Sequence, residues 1–328
     1  MGRITNNVKE TIDMVSKANP GYSKPYIFAS MARNMSKYNL TFVDYRKGNF
    51  INMTKEEKKD FLPLCEYQAL LDYLDNPKYT EVFVDKILFN KVFRDYVKRD
   101  FIDLRVSTLD EFKKFVKGKK VFFAKPHNLS GGKGVEKITN KNLDLDEVYQ
   151  QLLDNKQFLV EEAIIQHNKL DDIYAKSVNN VRIVTLLKDK EVNIIAMCLR
   201  MGYDDKEELV SSEDLYCTLN ESGKILTDGC NDYLTTFEKH PISGFKFKGS
   251  KIPYMKEAIE LVKKAALEVP EVRYVGWDVG IAEDGPVIIE GNFYPSFGLH
   301  QYYLTNEDYW LKKKVKNILG NEFDKIDL

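Results

Sequence analysis

Cysteine and histidine are both scarce in this chain of 328 residues, with four of each. Cys65, Cys198, Cys217 and Cys230 have neither metal-ligand spacing nor the density of a disulfide scaffold. They read as reduced thiols of a cytoplasmic protein. His127, His167, His240 and His300 are scattered, and none sits in a metal or nucleophile motif. No serine stands in a GxSxG elbow. An excess of charge is missing too: 49 basic against 50 acidic residues leave −1, so there is no broad electrostatic footprint for nucleic acid. The runs Lys117-Gly118-Lys119-Lys120 and Lys312-Lys313-Lys314 are short enough to be solvated faces. No apolar run approaches the roughly 20 residues that span a bilayer. The N-terminus lacks a signal-peptide core, and Asn6 stands where myristoylation wants Ser or Thr. Neither nucleic acid nor membrane insertion is expected.

With 43% hydrophobic residues, the chain can bury cores in two or three subdomains. Residues 1–77 read as helical, with a capping box at Thr54 to Glu57 opening a helix through Leu71. A second helix is expected from Thr80 to about Val97, and a third after the capping box Thr108 to Glu111. After Gly118 the texture turns to strands: Val121 to Lys125, Val135 to Ile138 and Phe158 to Val160, with a helix over 145–155. Val181 to Leu187 and Val192 to Leu199 form a hairpin across Lys188-Asp189-Lys190-Glu191. Residues 203–250 are polar and irregular, Met255 to Leu267 is an amphipathic helix, and the chain is helical again from Asp308. Strands and helices alternate irregularly, which points to an α+β fold rather than a doubly wound parallel sheet.

The most informative stretch is Gly276 to Asn292, two apolar strands joined by a tight Glu283-Asp284-Gly285 turn. A three-residue loop with Gly285 left-handed pairs Ala282 with Pro286. That register sets Asp278 opposite Glu290, with Asn292 on the same face. Opposed carboxylates repel, so a positive charge belongs between them. Two carboxylates and an amide oxygen suit Mg²⁺. A two-residue loop would place Asp278 and Glu290 on opposite faces, as solvated acids of an ordinary hairpin.

Other segments carry weaker signals. Ser130-Gly131-Gly132-Lys133-Gly134 exposes backbone N–H groups suited to phosphate, though it lacks Walker A spacing and could be a plain flexible turn. Lys125 ends an apolar strand beside that loop, as a phosphate ligand or a lysine snorkelling from an edge. Glu161 and Glu162 follow a buried strand and precede Ile164, a segment that could wall an adenine pocket or simply leave a core. Asn180 and Arg182 share a strand face, and the turn at 188–191 sets Met197 opposite Arg182. Its guanidinium therefore lacks a carboxylate within its own hairpin and should meet anionic oxygens in a cleft.

In chain order, Asp85-Lys86, Phe123 to Pro126, the glycine loop, Val160-Glu161-Glu162, Asn180-Val181-Arg182, Asp278 and Glu290-Gly291-Asn292 resemble the ATP-grasp superfamily. The branch most similar is the sugar-transfer-associated ATP-grasp family, in the phrases at 180–185, 240–253, 276–278 and 285–292. The resemblance covers roughly 80–305. It implies two subdomains clasping ATP, 78–160 with the glycine loop and 161–305 with the metal and catalytic residues, behind a helical region 1–77 and before a C-terminal helix 306–328. It implies ATP contacts from Lys86, Lys125, Ser130, Gly131, Gly132, Gly134, Glu161, Glu162 and Ile164, and Mg²⁺ on Asp278, Glu290 and Asn292. Arg182, Lys125 and Asn180 are the implied catalytic residues. The implied chemistry is a carboxylate–amine ligase working through an acyl phosphate, in cell-surface glycan or small-metabolite biosynthesis. The partners would be ATP, a small carboxylate, and an amine or other nucleophile. The alternative is a kinase acting on a sugar or inositol hydroxyl, with Asp204, Asp205 or Glu213 as its base.

Overall fold

Apolar strands too short to fold alone find their partners in two antiparallel sheets. The computed structural model describes residues 2–129, 131–203, 215–233, 235–295 and 311–328. The first sheet holds β1 (Phe101–Asp103), β2 (Val121–Lys125), β3 (Glu136–Thr139) and β4 (Leu159–Glu162) in the order β1-β4-β2-β3. β2 is therefore an inner strand, and Lys125 is no edge lysine. Phe122, Ala124 and Val160 pack under Phe112 and Val116 of one helix and Leu152 of another. β4 runs on to Glu162, two residues past the boundary expected at 160.

The second sheet contains β5 (Asn180–Lys188), β6 (Glu191–Met201), β7 (Leu215–Thr218), β8 (Gly229–Cys230), β9 (Thr236–Phe237), β10 (Tyr274–Ala282) and β11 (Gly285–Asn292). Its order is β11-β10-β5-β6-β7-β8-β9. Alternation sorts the side chains of β5, β6 and β10 onto two faces. Val181, Ile183, Leu199, Val275, Trp277 and Val279 point one way, into the largest core. Val184, Leu186, Ala196 and Tyr274 point the other way, into a core shared with the helices of residues 2–74 and the final helix. Asn180, Arg182, Arg200 and Asp278 lie on that second face, beyond the edge of the helical cover. One sheet face is thus apolar at one end and charged at the other.

The helices are α1 (Gly2–Ala18), α2 (Lys24–Tyr38), α3 (Phe42–Lys47), α4 (Lys55–Asp60), α5 (Leu64–Leu74), α6 (Glu81–Val84), α7 (Lys86–Val92), α8 (Arg94–Val97), α9 (Leu109–Val116), α10 (Leu145–Asp154), α11 (Asn168–Asp171), α12 (Met255–Ala265) and α13 (Leu311–Leu319). Both capping boxes form, Thr54 with Glu57 and Thr108 with Glu111. The helix expected to run from Thr54 through Leu71 is two, because Pro63 cannot continue a helix and opens α5 instead. The helix expected over 80–97 is three short ones. Asp85 leaves the helical conformation to cap α7, accepting from the N–H groups of Ile87 and Leu88. Phe83, Phe89 and Phe93 pack around the buried Trp277 ring at 6.0, 6.5 and 5.5 Å. Burying each such ring contributes roughly 2–3 kcal/mol, more than the breaks in hydrogen bonding cost. Asp308, where the last helix was expected to begin, lies outside the described residues.

Candidate active site

The β10–β11 hairpin sets Asp278 opposite Glu290, by a different route from the one the sequence suggested. The turn has two residues, not three, since Ala282 pairs with Gly285. Continued regularly, that ladder would set Ile289 against Asp278 and turn Glu290 to the apolar face. A β-bulge between Asp278 and Val279 moves the register by one, so Asp278 pairs with Glu290 and Gly276 with Asn292. Gly285 takes φ +125°, which a side chain would resist.

The positive charge demanded by these carboxylates comes from the protein itself. Arg182 lies opposite Asp278 in β5 and grips it with both ends of its fork, Nε at 2.5 Å and Nη2 at 2.8 Å. Arg200 Nη1 stands 3.3 Å from the same carboxylate, and Lys86 Nζ is 3.6 Å from Glu290. Repulsion between the acids is therefore not in itself a reason for a metal. Burial works against the charge on Asp278, yet Arg182 and Arg200 outweigh it and hold its carboxyl below the ordinary range. Arg182 thus meets an anion, but a carboxylate of the neighbouring strand rather than a ligand. Cys198, not Met197, lies opposite it, because the β5–β6 ladder shifts register between Val184 and Thr185, where β6 has the extra residue Ile195. Gly276 makes room for this arrangement: a Cβ there would come within 2.6 Å of Pro295 and 3.2 Å of the Arg182 side chain.

A second ionic group faces it from the first sheet. Lys125 Nζ is bound to Glu161, which also accepts from Arg99 Nη2 at 2.9 Å and Asn90 Nδ2 at 2.5 Å. Burial opposes ionisation of Glu161, but Arg99 and Lys125 prevail and bring its pKa to about 2. Lys125 shifts downward, because burial and Arg99 outweigh its attraction to Glu161. Two cations thus share one carboxylate, which leaves Lys125 short of negative charge. The Glu161 carboxylate thus has three partners inside the protein.

Between the sheets lies a cleft of about 460 Å³, within the ordinary range for a small-molecule site. Lys86, Lys125, Gly131, Gly132, Glu161, Glu162, Ile164, Asn180, Asp278 and Glu290 all line it. Apolar Phe123, Leu129, Val135, Val178 and Ile289 share the lining. Gly131, Gly132 and Gly134 have φ of +68°, +72° and +72°, the left-handed backbone for which the loop needs glycine. Gly134 sits behind the lining, where a Cβ would press on Pro126 at 2.9 Å. The Asn180 Oδ1 end is buried with no hydrogen-bond partner. Asn292 donates weakly from Nδ2 to Gly276 O at 3.4 Å and Glu290 Oε1 at 3.5 Å, which leaves its carbonyl oxygen to accept from or coordinate a ligand. Arg182 lies behind the lining, and Ser130, Asp204, Asp205 and Glu213 lie outside the described residues.

Sequence reasoning missed Arg99, Lys133, Arg200 and Tyr216, which line the same cleft. The signal for Arg200 was present: it pairs with Asn180 across the hairpin, so it shares the face of the residues already singled out. Arg99 had none, since it stands alone between α8 and β1. Five cations line the cleft (Lys86, Arg99, Lys125, Lys133, Arg200) against four carboxylates (Glu161, Glu162, Asp278, Glu290), so it suits an anionic ligand. Among the described residues no three His, Cys, Asp or Glu side chains cluster for a metal. What the cleft offers is the pair Asp278 and Glu290, with the Asn292 amide next along the strand opposite Gly276 but outside the lining; together they are a hard-oxygen set that fits Mg²⁺ completed by phosphate and water oxygens.

The family model for sugar-transfer-associated ATP-grasp proteins matches residues 72–318. No curated protein sequence matches the chain. Among solved structures, the D-alanine–D-alanine ligase of Bacillus anthracis is 12% identical with a TM-score of 0.45, over 79% of this chain and 76% of that one. The corresponding ligase of Coxiella burnetii is 12% identical with a TM-score of 0.47, over 79% and 66%. The ATP-grasp ligase PsnB, solved with a minimal precursor, is 14% identical with a TM-score of 0.43, and this chain covers only 62% of its length.

Proposed function

The chain belongs to the sugar-transfer-associated ATP-grasp family, and from that premise we propose that it is an ATP- and Mg²⁺-dependent ligase joining a carboxylate to an amine or related nucleophile. One observation carries this reading. The glycine loop, Lys86, Lys125, Asp278 and Glu290 converge from two sheets on a single electropositive cleft. The apolar end, with Phe123, Ile164 and Val178, suits a purine ring. The loop's N–H groups and the two lysines suit the phosphates. Asp278, Glu290 and Asn292 would hold Mg²⁺, which when bound neutralises charge on the phosphates.

The reaction then needs positioning and charge, not an enzyme nucleophile. A substrate carboxylate oxygen attacks the γ-phosphorus, ADP leaves, and an acyl phosphate forms. The amine attacks the acyl carbon, phosphate departs with the bonding pair, and the proton lost from the amine nitrogen leaves with the phosphate. Arg200, which lines the cleft where Arg182 does not, is placed to stabilise the oxyanion. Arg182 holds Asp278 in its geometry. Asn180 lines the cleft beside Arg200, its partner across the β5–β6 ladder.

A kinase would need a carboxylate base, and a different observation speaks against one. Among the described residues, every carboxylate lining the cleft has a cation partner: Glu161 with Lys125, Glu162 with Lys119, Asp278 with Arg182, Glu290 with Lys86. The test is to supply ATP, Mg²⁺ and pools of carboxylates in the presence of hydroxylamine, which captures acyl phosphates as hydroxamates. A hydroxamate formed together with ADP is the expected product. A stable phosphomonoester in its place would make the protein a kinase.

A further inference from the structure

The bulge that turns Glu290 toward Asp278 leaves Ile289 without a partner in β10, and because β11 is the edge strand the Ile288 carbonyl beside it faces away from the sheet. Backbone groups removed from a ladder need other partners when buried. One side chain serves both: Arg99 donates from Nη1 to Ile288 O at 2.7 Å and from Nη2 to Ile289 O at 3.0 Å. The same guanidinium binds Glu161, the partner of Lys125, and is itself buried, with 6% of its side chain exposed. Lys98 adds a contact to Pro286 O at 3.2 Å, lower on the same strand.

We propose that Arg99 is a positioning residue that fixes the Ile289 bulge and thereby sets Glu290 and Asn292 on the metal-binding face. Without the bulge, the two-residue turn would carry Glu290 and Asn292 to the apolar side of the sheet. The planar fork of arginine matches two successive carbonyls and a carboxylate at once, and a lysine head group cannot reproduce it. Because Glu161 joins Arg99 to Lys125, one residue also holds the phosphate lysine in step with the metal carboxylates. The inference rests on the nucleotide-and-metal reading of the cleft.

Its test measures Mn²⁺ binding by paramagnetic resonance in the presence of ADP, and ADP binding without metal by calorimetry, on the full chain. Arg99→Lys should weaken Mn²⁺ on the order of 10- to 100-fold, as loss of a residue orienting metal ligands does. Metal-free ADP affinity should fall by much less than Mn²⁺ affinity, since the charge beside Glu161 is kept. Glu161→Gln loosens the anchor of Arg99 and should weaken Mn²⁺ in the same direction, which carries the test if Arg99→Lys proves insoluble. Wild-type Mn²⁺ affinity in either soluble variant, with only a lowered melting temperature, would overturn the role of Arg99. A wild-type protein that binds no Mn²⁺ with ADP would overturn the reading of the cleft itself, and this inference with it.

Discussion

Replacing Arg182 by Met removes both hydrogen bonds to Asp278 while keeping much of the side-chain volume. Arg182 and Asp278 are 5% and 6% exposed, so the carboxylate left behind has little water to turn to. Breaking a buried ion pair from one side costs about 3–5 kcal/mol. Here Arg200 still stands at 3.3 Å, so the lower end applies, about 3 kcal/mol. For a chain of this size that is roughly 4–5 °C in melting temperature. The pH dependence has a defined sign. Asp278 titrates below the ordinary carboxylate range in the folded protein, so its ion pairs contribute fully above the unfolded pKa, and that stability is lost as pH falls through the folded one. The deficit of Arg182→Met should therefore be full at neutral pH and shrink in acid. Urea unfolding at several pH values, with thermal melts alongside, measures it. A deficit below about 1 kcal/mol at pH 7 would refute the reasoning, because a buried charge deprived of its main partner cannot be so cheap.

Three further outcomes are expected. Asp278→Asn and Glu290→Gln should each weaken Mg²⁺-dependent ATP binding, since each removes a charge that offsets the cation; titration with a fluorescent nucleotide showing wild-type affinity in both would remove them as metal ligands. Hydrogen exchange in the glycine loop at 131–134 should slow when Mg²⁺ and a non-hydrolysable ATP analogue are added, because the phosphates give its N–H groups partners; unchanged exchange would count against the cradle. Burial raises Asp75 from 3.8 to about 7, against hydrogen bonds from the Tyr274 and Arg273 backbone. The folded state thus holds the proton more tightly, and stability should decline as pH rises from about 4 to 7, by up to roughly 4 kcal/mol. Asp75→Asn should flatten that slope in urea titrations, and an unaltered slope would assign it elsewhere.

Local chemistry was the legible part of the sequence. Capping boxes at Thr54 and Thr108 formed because both partners lie within one turn of chain. The hairpin at 188–191 turned where expected, through Asp189 and Lys190 at φ +50° and +69°. Long-range compensation was not legible. Pro63 and Asp85 divide helices that periodicity ran together, because periodicity reports which face is buried and not whether the backbone is continuous. The partner of Arg182 comes from a strand 96 residues further along the chain, which no local pattern announces. The ionic partners of Glu161 were hidden for a similar reason, since Asn90, Arg99 and Lys125 come from elsewhere in the chain.

The Asp278–Glu290 register shows how two misreadings can cancel. A turn judged one residue too long and a bulge not foreseen each shift the ladder by one, so the face assignment survived while its mechanism changed. The consequence is physical. A register held by a turn alone would be a property of the hairpin, independent of the rest of the molecule. A register held by a bulge needs its carbonyls capped, and the cap, Arg99, comes from outside the hairpin and reaches Glu161 in the other sheet. Both ionic groups then have the same form, two cations around one carboxylate: Arg99 and Lys125 on Glu161, Arg182 and Arg200 on Asp278. Each keeps a buried acid ionised and retains positive charge beyond what the acid neutralises. An anionic ligand between the two sheets would meet that surplus from both sides, so both sheets contribute to its binding.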